Sequence, residues 1–124
     1  MKRVIGGLAV LACVTGAAAA VQGRDATPRG KQVEVTGTVV DLACRFSKGQ
    51  TGPSHVPCAQ MCAKAGVPFG ILTADGRLYI PAVHGEVQNP KLLPFVEQEV
   101  TVTGTVFPAA GANTIEIASI AKKQ

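Results

Sequence analysis

The chain is poor in aromatic residues: among its 124 residues it has no tryptophan, one tyrosine and four phenylalanines. A hydrophobic core must therefore be built largely from Val, Ile, Leu and Ala. The C-x-x-C-H motif needed for covalent c-type haem is also missing, which excludes that cofactor. The apolar stretch from Val4 to Val14 is shorter than the roughly 20 residues of a membrane span. We therefore expect no transmembrane segment in the mature protein.

The N-terminus has the pattern of a bacterial secretory signal peptide. Met1-Lys2-Arg3 is a basic n-region, the apolar stretch follows it, and the alanines at positions 18 to 20 offer an A-x-A cleavage site. This pattern predicts a signal peptide over residues 1–20 and a periplasmic or secreted mature protein. A competing interpretation is a lipoprotein with Cys13 as the lipidated residue. Residues 21–31 are polar with Gly and Pro, and we interpret them as a flexible leader.

Removing the signal peptide changes both the charge and the cysteine count. Twelve Lys and Arg less Lys2 and Arg3 leave ten, against eight Asp and Glu, a formal net charge of +2. This small excess gives no reason to expect a nucleic-acid partner. Three cysteines remain, and an odd number in an oxidising compartment indicates a spare thiol, an intermolecular bridge or a metal site.

Residues 32–121 read as one domain of five strands. The stretch Val33–Leu42 alternates β-branched and polar residues, as a strand does. Its residues 33–39, VEVTGTV, recur almost unchanged as VTVTGTV at 100–106. We interpret the central glycines, Gly37 and Gly104, as points where two strands bend to close a small barrel.

The rest of the domain supplies the other three strands. Asp75-Gly76 predicts the turn of a hairpin over residues 69–80. Asn89-Pro90 predicts about one helical turn, limited by Pro94. The last two strands, near residues 99–107 and 113–120, are joined by the loop PAAGA. Five strands with a short helix between the third and fourth predict a mostly β fold, an OB-fold-like barrel.

The segment between the first two strands gathers the reactive side chains. Ser54 as a cap, a proline at position 57 and a stop at Gly66 predict a helix from about His55 to Ala65. On that helix His55, Cys58 and Cys62 fall within an arc of about 60°. Cys44, expected at the end of the first strand, can reach the same face through a loop.

This pattern predicts a Cys3His metal site formed by Cys44, His55, Cys58 and Cys62. Zinc and Cu(I) both accept thiolate and imidazole ligands, so the metal is zinc in a structural role or copper held by a carrier. The Met61 sulfur is a further soft donor beside this face, although a helical Met more often packs. We expect His84 to be a surface loop residue.

The strand pattern resembles that of small exported bacterial OB-fold domains. The resemblance covers roughly residues 32–121 and is carried by five segments, which are VEVTGTVVD at 33–41, ILT at 71–73, LYI at 78–80, VTVTGTV at 100–106 and IEI at 115–117. It implies the fold and no binding residues. The helical insertion with its Cys and His residues between strands one and two departs from that family.

A disulfide is the main alternative to a metal. Cys58 and Cys62 on a regular helix have Cβ atoms about 5 to 6 Å apart, whereas a disulfide needs about 3.5 to 4.5 Å. Cys44 is the easier partner for either, and one thiol is left over. The protein would then be a disulfide-pinned OB-fold module that binds a protein, oligosaccharide or nucleic-acid ligand on the barrel face.

Two further functions are weaker. Base stacking on Phe69, Tyr79 and Phe107 would suit nucleic acid, but core packing explains these aromatic residues equally well. Ser54 and His55 are adjacent, yet no acidic residue in the sequence is placed to orient the imidazole. We therefore predict a binding protein and not an enzyme.

Overall fold

Residues 30–124 are described by a computed structural model of the chain. The predicted signal peptide, Cys13 and residues 21–29 of the predicted leader lie outside the described residues. Five strands are present: β1 (Lys31–Asp41), β2 (Phe69–Leu72), β3 (Leu78–Pro81), β4 (Glu99–Ala109) and β5 (Ala112–Lys122). Three short helices accompany them: α1 (Leu42–Lys48), α2 (Val56–Lys64) and α3 (Asn89–Leu92).

The strands form a closed barrel in the order β1-β2-β3-β5-β4, with β4 returning to pair with β1. All pairs are antiparallel except β3 with β5. This arrangement, with α3 between β3 and β4, is compatible with an OB-like fold. It confirms the predicted fold class, including the helical insertion between β1 and β2 that carries the cysteines and His55.

Both predicted bend glycines lie where a neighbouring strand approaches too closely for a side chain. A Cβ at Gly104 would lie 2.3 Å from the carbonyl oxygen of Glu116, and one at Gly37 would lie 2.7 Å from that of Leu72. A β-bulge interrupts the register between β4 and β5 at Gly104. The missing side chains therefore let the long strands β1 and β4 bend around the barrel.

The connection between β4 and β5 is tighter than predicted. The strands continue to a final pair, Ala109 with Ala112, and leave a turn of only two residues. Ala110 and Gly111 both have positive φ, 51° and 79°, which is the backbone of a type I′ turn. The twist of the strands favours this turn, so the predicted PAAGA loop is largely strand.

The barrel is filled by aliphatic side chains, as the scarcity of aromatic residues predicts. Its fully buried members include Val39, Ile71, Val100, Val102 and Ile115. Phe69 and Tyr79 are buried in the same core, so neither offers an exposed ring for base stacking. Among the described residues, no helix is long and apolar enough to cross a membrane.

The insertion contains two helices where the sequence analysis predicted one. Helix α1 directly follows β1, and α2 follows a 3-10 turn at Pro53–His55. Ala59 of α2 is completely buried in the barrel core. Because Ala59 is buried, α2 is held in one rotation about its axis. The positions of Cys58 and Cys62 relative to the barrel are therefore fixed.

Candidate metal centre

Cys44 lies on α1 and not at the end of a strand, as the sequence analysis expected. The reason is Asp41, the last residue of β1. Its Oδ1 accepts hydrogen bonds from the backbone N–H groups of Ala43 (2.7 Å) and Cys44 (3.0 Å) and so caps a new helix. Gly49, with φ of 66°, ends this helix after two turns. A short, capped helix therefore presents the buried Cys44.

Cys58 and Cys62 lie on α2, close to the predicted position. The helix ends before Gly66, whose φ is 92°, as predicted. Its start differs: Ser54 lies within the 3-10 turn, and His55 is the N-cap residue without a side-chain capping bond. Because the preceding turn already directs the chain into α2, no hydroxyl cap is needed there.

The three cysteines converge into what we term the thiol triangle, Cys44, Cys58 and Cys62. Their sulfur atoms all lie within 4.8 Å of one another. The sulfurs of Cys44 and Cys62 are 4.0 Å apart, about twice a disulfide bond length, and all three cysteines are free. The disulfide expected under the alternative interpretation is not formed. Cys44 is buried, whereas Cys58 and Cys62 are half-buried.

An acidic residue orients His55, contrary to the sequence analysis. His55 Nδ1 lies 2.9 Å from Oε1 of Glu97, and both side chains are almost completely buried. The second oxygen of Glu97 accepts a hydrogen bond of 3.0 Å from the backbone N–H of Gly52. Because both carboxylate oxygens are engaged, the imidazole is fixed with its other nitrogen, Nε2, facing away from Glu97.

Glu97 is held beside the end of β1 by main-chain contacts. Val96 forms a bridge with Val39, and the N–H of Glu97 donates a 2.8 Å hydrogen bond to the Val39 carbonyl oxygen. Glu97 itself has a φ of 60°, which is uncommon for a residue with a side chain. A backbone constraint of this kind often marks a functional position.

A second set of donors overlaps the thiol triangle. A carboxylate oxygen of Asp41, the sulfur of Cys44 and a ring nitrogen of His55 lie within 4.8 Å of one another. Asp41 Oδ2 and His55 Nε2 are both buried, and neither receives a hydrogen bond of normal geometry from a described residue. Buried polar atoms without partners are unusual and are explained when they bind an ion.

The Asp41 carboxylate also affects the nearest thiol on α2. The interaction with the Asp41 carboxylate, then desolvation, then the neighbouring Cys44 together raise the pKa of Cys62 from 9.0 to about 12. All three effects disfavour the thiolate. A metal ion bound here would reverse that preference, because its positive charge stabilises the deprotonated sulfur.

A surface pocket of about 360 Å³ opens beside the cluster. Its lining includes His55 and Cys58, and of these two the half-buried Cys58 can be reached from outside. Met61 is 65% exposed and therefore does not pack, as a helical Met usually would. His84 is exposed on a turn, as predicted.

The structure therefore groups the four predicted ligands through Cys44. This cysteine lies within 4.8 Å of Cys58 and Cys62 in one group and of His55 in the other. Two residues were missed, Asp41 and Glu97. The capping role of Asp41 could have been predicted from the sequence, because this acidic residue follows a predicted strand and precedes Leu-Ala-Cys. Glu97 lies 42 positions from His55, and no local pattern connects them.

Comparison of this chain with protein-family models, with curated proteins and with solved structures gives no match. The structure thus supports an OB-like barrel, and the resemblance to exported bacterial domains remains a prediction. Any functional conclusion depends on the chemistry of the cluster around Cys44.

Proposed function

We propose that this protein is an exported binding protein for a transition metal ion, without enzymatic activity, and that the thiol triangle is its principal ligand set. The observation that carries the proposal is the convergence of three free thiols within 4.8 Å. These thiols come from two helices, so their proximity is a product of the fold and not of sequence spacing alone. A bound ion would also protect them from oxidation in an oxidising compartment.

The ligand set favours a soft or borderline metal, Cu(I) or zinc. His55 as the fourth ligand remains a prediction. Its support is the Glu97 contact at Nδ1, which leaves Nε2 as a lone-pair donor and matches the usual environment of a metal-binding histidine.

Access to the cluster favours an exchangeable ion over a purely structural one. Cys58 and Cys62 are half-buried, and the pocket reaches Cys58. The barrel core is packed by its own aliphatic side chains. We therefore favour the role of metal carrier or buffer, in which a protein partner takes up or supplies the ion.

Export is the part of the proposal that rests on sequence alone. Its support is the basic, apolar and A-x-A pattern of residues 1–20. Mass spectrometry of the chain recovered from the periplasm should give a mature N-terminus at Val21. An intact N-terminus in the cytoplasm, or a lipid on Cys13, would contradict it.

Metal binding is tested by elemental analysis of the purified protein together with single Cys→Ser variants. Cys44→Ser, Cys58→Ser and Cys62→Ser should each lower the affinity for zinc or Cu(I) by at least about 10-fold. Gln60→Ala is the control, because it changes an exposed side chain on the same helix that is not among the proposed ligands, and it should leave the affinity unchanged. Circular dichroism verifies that each variant retains the barrel. Unchanged affinity in all three serine variants would overturn the proposal.

A further inference from the structure

We propose that the cluster holds two metal ions that share the Cys44 thiolate, the first bound with Cys58 and Cys62 and the second with Asp41 and His55. This inference rests on the proposed function and extends it from one ion to two. It also changes the role of His55, from fourth ligand of the first ion to ligand of a second.

The first argument is the arrangement of the donor atoms. The thiol triangle and the set of Asp41, Cys44 and His55 are each compact to within 4.8 Å, and Cys44 belongs to both. Sulfurs bound to one tetrahedral zinc at about 2.3 Å lie about 3.8 Å apart. The 4.0 Å between Cys44 and Cys62 is already close to that value. Each set is thus suited to its own ion, with Cys44 between them.

The second argument is the pair of buried atoms without partners. Asp41 is 0% exposed and His55 is 4% exposed. Asp41 Oδ2 and His55 Nε2 each lack a hydrogen bond within the described part of the chain, and no Lys or Arg there pairs with Asp41. Although Asp41 Oδ1 accepts two backbone hydrogen bonds, burying a carboxylate whose other oxygen has no partner and whose charge has no paired cation is costly. A cation between these two side chains and Cys44 removes that cost.

The third argument is the tautomer of His55. Glu97 Oε1 lies 2.9 Å from Nδ1 and favours the tautomer with the proton on Nδ1 and a lone pair on Nε2. Nε2 therefore cannot donate to the Asp41 carboxylate or to the Cys44 thiolate. A metal ion would accept electron pairs from Nε2, from the Asp41 carboxylate and from the Cys44 thiolate, and would so provide each of them with a partner.

The fourth argument is charge. Once metal binding has removed the protons of the three thiols, these and the Asp41 carboxylate carry four negative charges, which two divalent ions balance and one does not. The region is partly or fully buried, so an uncompensated charge is poorly solvated. Glu97 lies outside the donor set, with both oxygens already engaged.

The test is a count of bound zinc by native mass spectrometry, using the chain as recovered from cells, stripped of metal and titrated with Zn²⁺. The wild-type protein should bind two ions. Asp41→Asn should bind one, in the thiol triangle; the asparagine oxygen can still cap α1, so the fold is retained. Cys58→Ser should also bind one, at the other position. The control is Asp75→Asn, an exposed carboxylate remote in sequence from the cluster, which should still bind two.

The outcomes separate the two proposals. A wild-type stoichiometry of one overturns the shared-thiolate site and leaves the proposed function standing. A stoichiometry of zero also overturns the shared-thiolate site, and the same titration with Cu(I) then decides the proposed function: no bound Cu(I) overturns it as well. Two ions in Asp41→Asn would also overturn the assignment of the second position. The wild-type count decides the question even if a variant fails to fold.

Discussion

At the scale of single residues, the site depends on a contact between two side chains that are far apart in the chain. Glu97 holds the His55 ring at 2.9 Å and is itself tied to the N–H of Gly52. A carboxylate in this position orients the ring of a metal-ligating histidine. In the proposed site Glu97 is thus a positioning residue, which would act on the metal through His55.

Replacing Glu97 with glutamine should weaken zinc binding by about 10-fold to 100-fold, because the neutral amide stabilises the metal-bound imidazole less. Competition with a chromophoric chelator measures the affinity. Glu99→Gln is the matched control, since that carboxylate is half-exposed and pairs with Lys123. Equal affinities for the two variants would contradict a positioning role for Glu97.

The Cys62 thiol offers a second test at this scale. Its pKa is raised to about 12, chiefly by Asp41, so at pH 8 the metal-free protein should contain very little of the reactive thiolate. Iodoacetamide should therefore alkylate Cys62 more slowly in the folded protein than in urea, as followed by peptide mass spectrometry. Asp41→Asn should accelerate the reaction. If that substitution has no effect on the rate, the carboxylate does not control Cys62.

These residues also show which contacts can be predicted from local sequence patterns and which cannot. That Cys58 and Cys62 lie on the same face of α2 was predictable, because residues four apart in a helix share a face. The Glu97 contact was not, because it depends on how the chain returns to β1 after α3. Local periodicity carries no information about such a pairing.

At the scale of elements, the insertion is held in place by caps and side-chain hydrogen bonds in addition to the burial of Ala59. Asp41 starts α1 at the end of β1. Asn89 joins three segments: its Nδ2 donates to the carbonyl oxygens of Ala63 (3.2 Å) and Val67 (2.8 Å), and its Oδ1 accepts from the N–H of Phe69 (3.2 Å). Asn89 therefore links the end of α2 to β2.

Asn89→Ala should lower the free energy of unfolding by about 2 kcal/mol, because it leaves partly buried carbonyl and N–H groups without partners. Urea denaturation of the metal-free protein measures this value. Asn113→Ala is the control, since that amide donates only one long bond, 3.4 Å, to the Leu78 carbonyl oxygen. A loss no larger than the control's would show that Asn89 does not hold α2.

The strands were more predictable than the helices of the insertion. Alternation, the Asp75-Gly76 turn and the two bend glycines each reflect a local requirement of the backbone, and the structure has β2 paired with β3 across that turn. Helix α1 has only seven residues, too few to show a hydrophobic period. Its formation depends on the Asp41 cap, which is a single residue.

At the scale of the whole molecule, the barrel serves as a rigid support for the cluster. Strand β1 contributes Asp41, the insertion between β1 and β2 contributes the cysteines and His55, and the segment before β4 contributes Glu97. Because β1 pairs with both β2 and β4, these contributions meet at one end of a single strand. The fold class could be predicted from the strand pattern. The convergence of these side chains could not, because it depends on the closure of the barrel.

The central claim is that three thiolates share one ion, and zinc X-ray absorption spectroscopy of protein loaded with one equivalent tests it most directly. The thiol triangle should take this first ion, because thiolates are the stronger ligands. The spectrum should then show about three sulfur neighbours near 2.3 Å. A first shell of only nitrogen and oxygen neighbours, with all three thiols still free to react, would contradict the account.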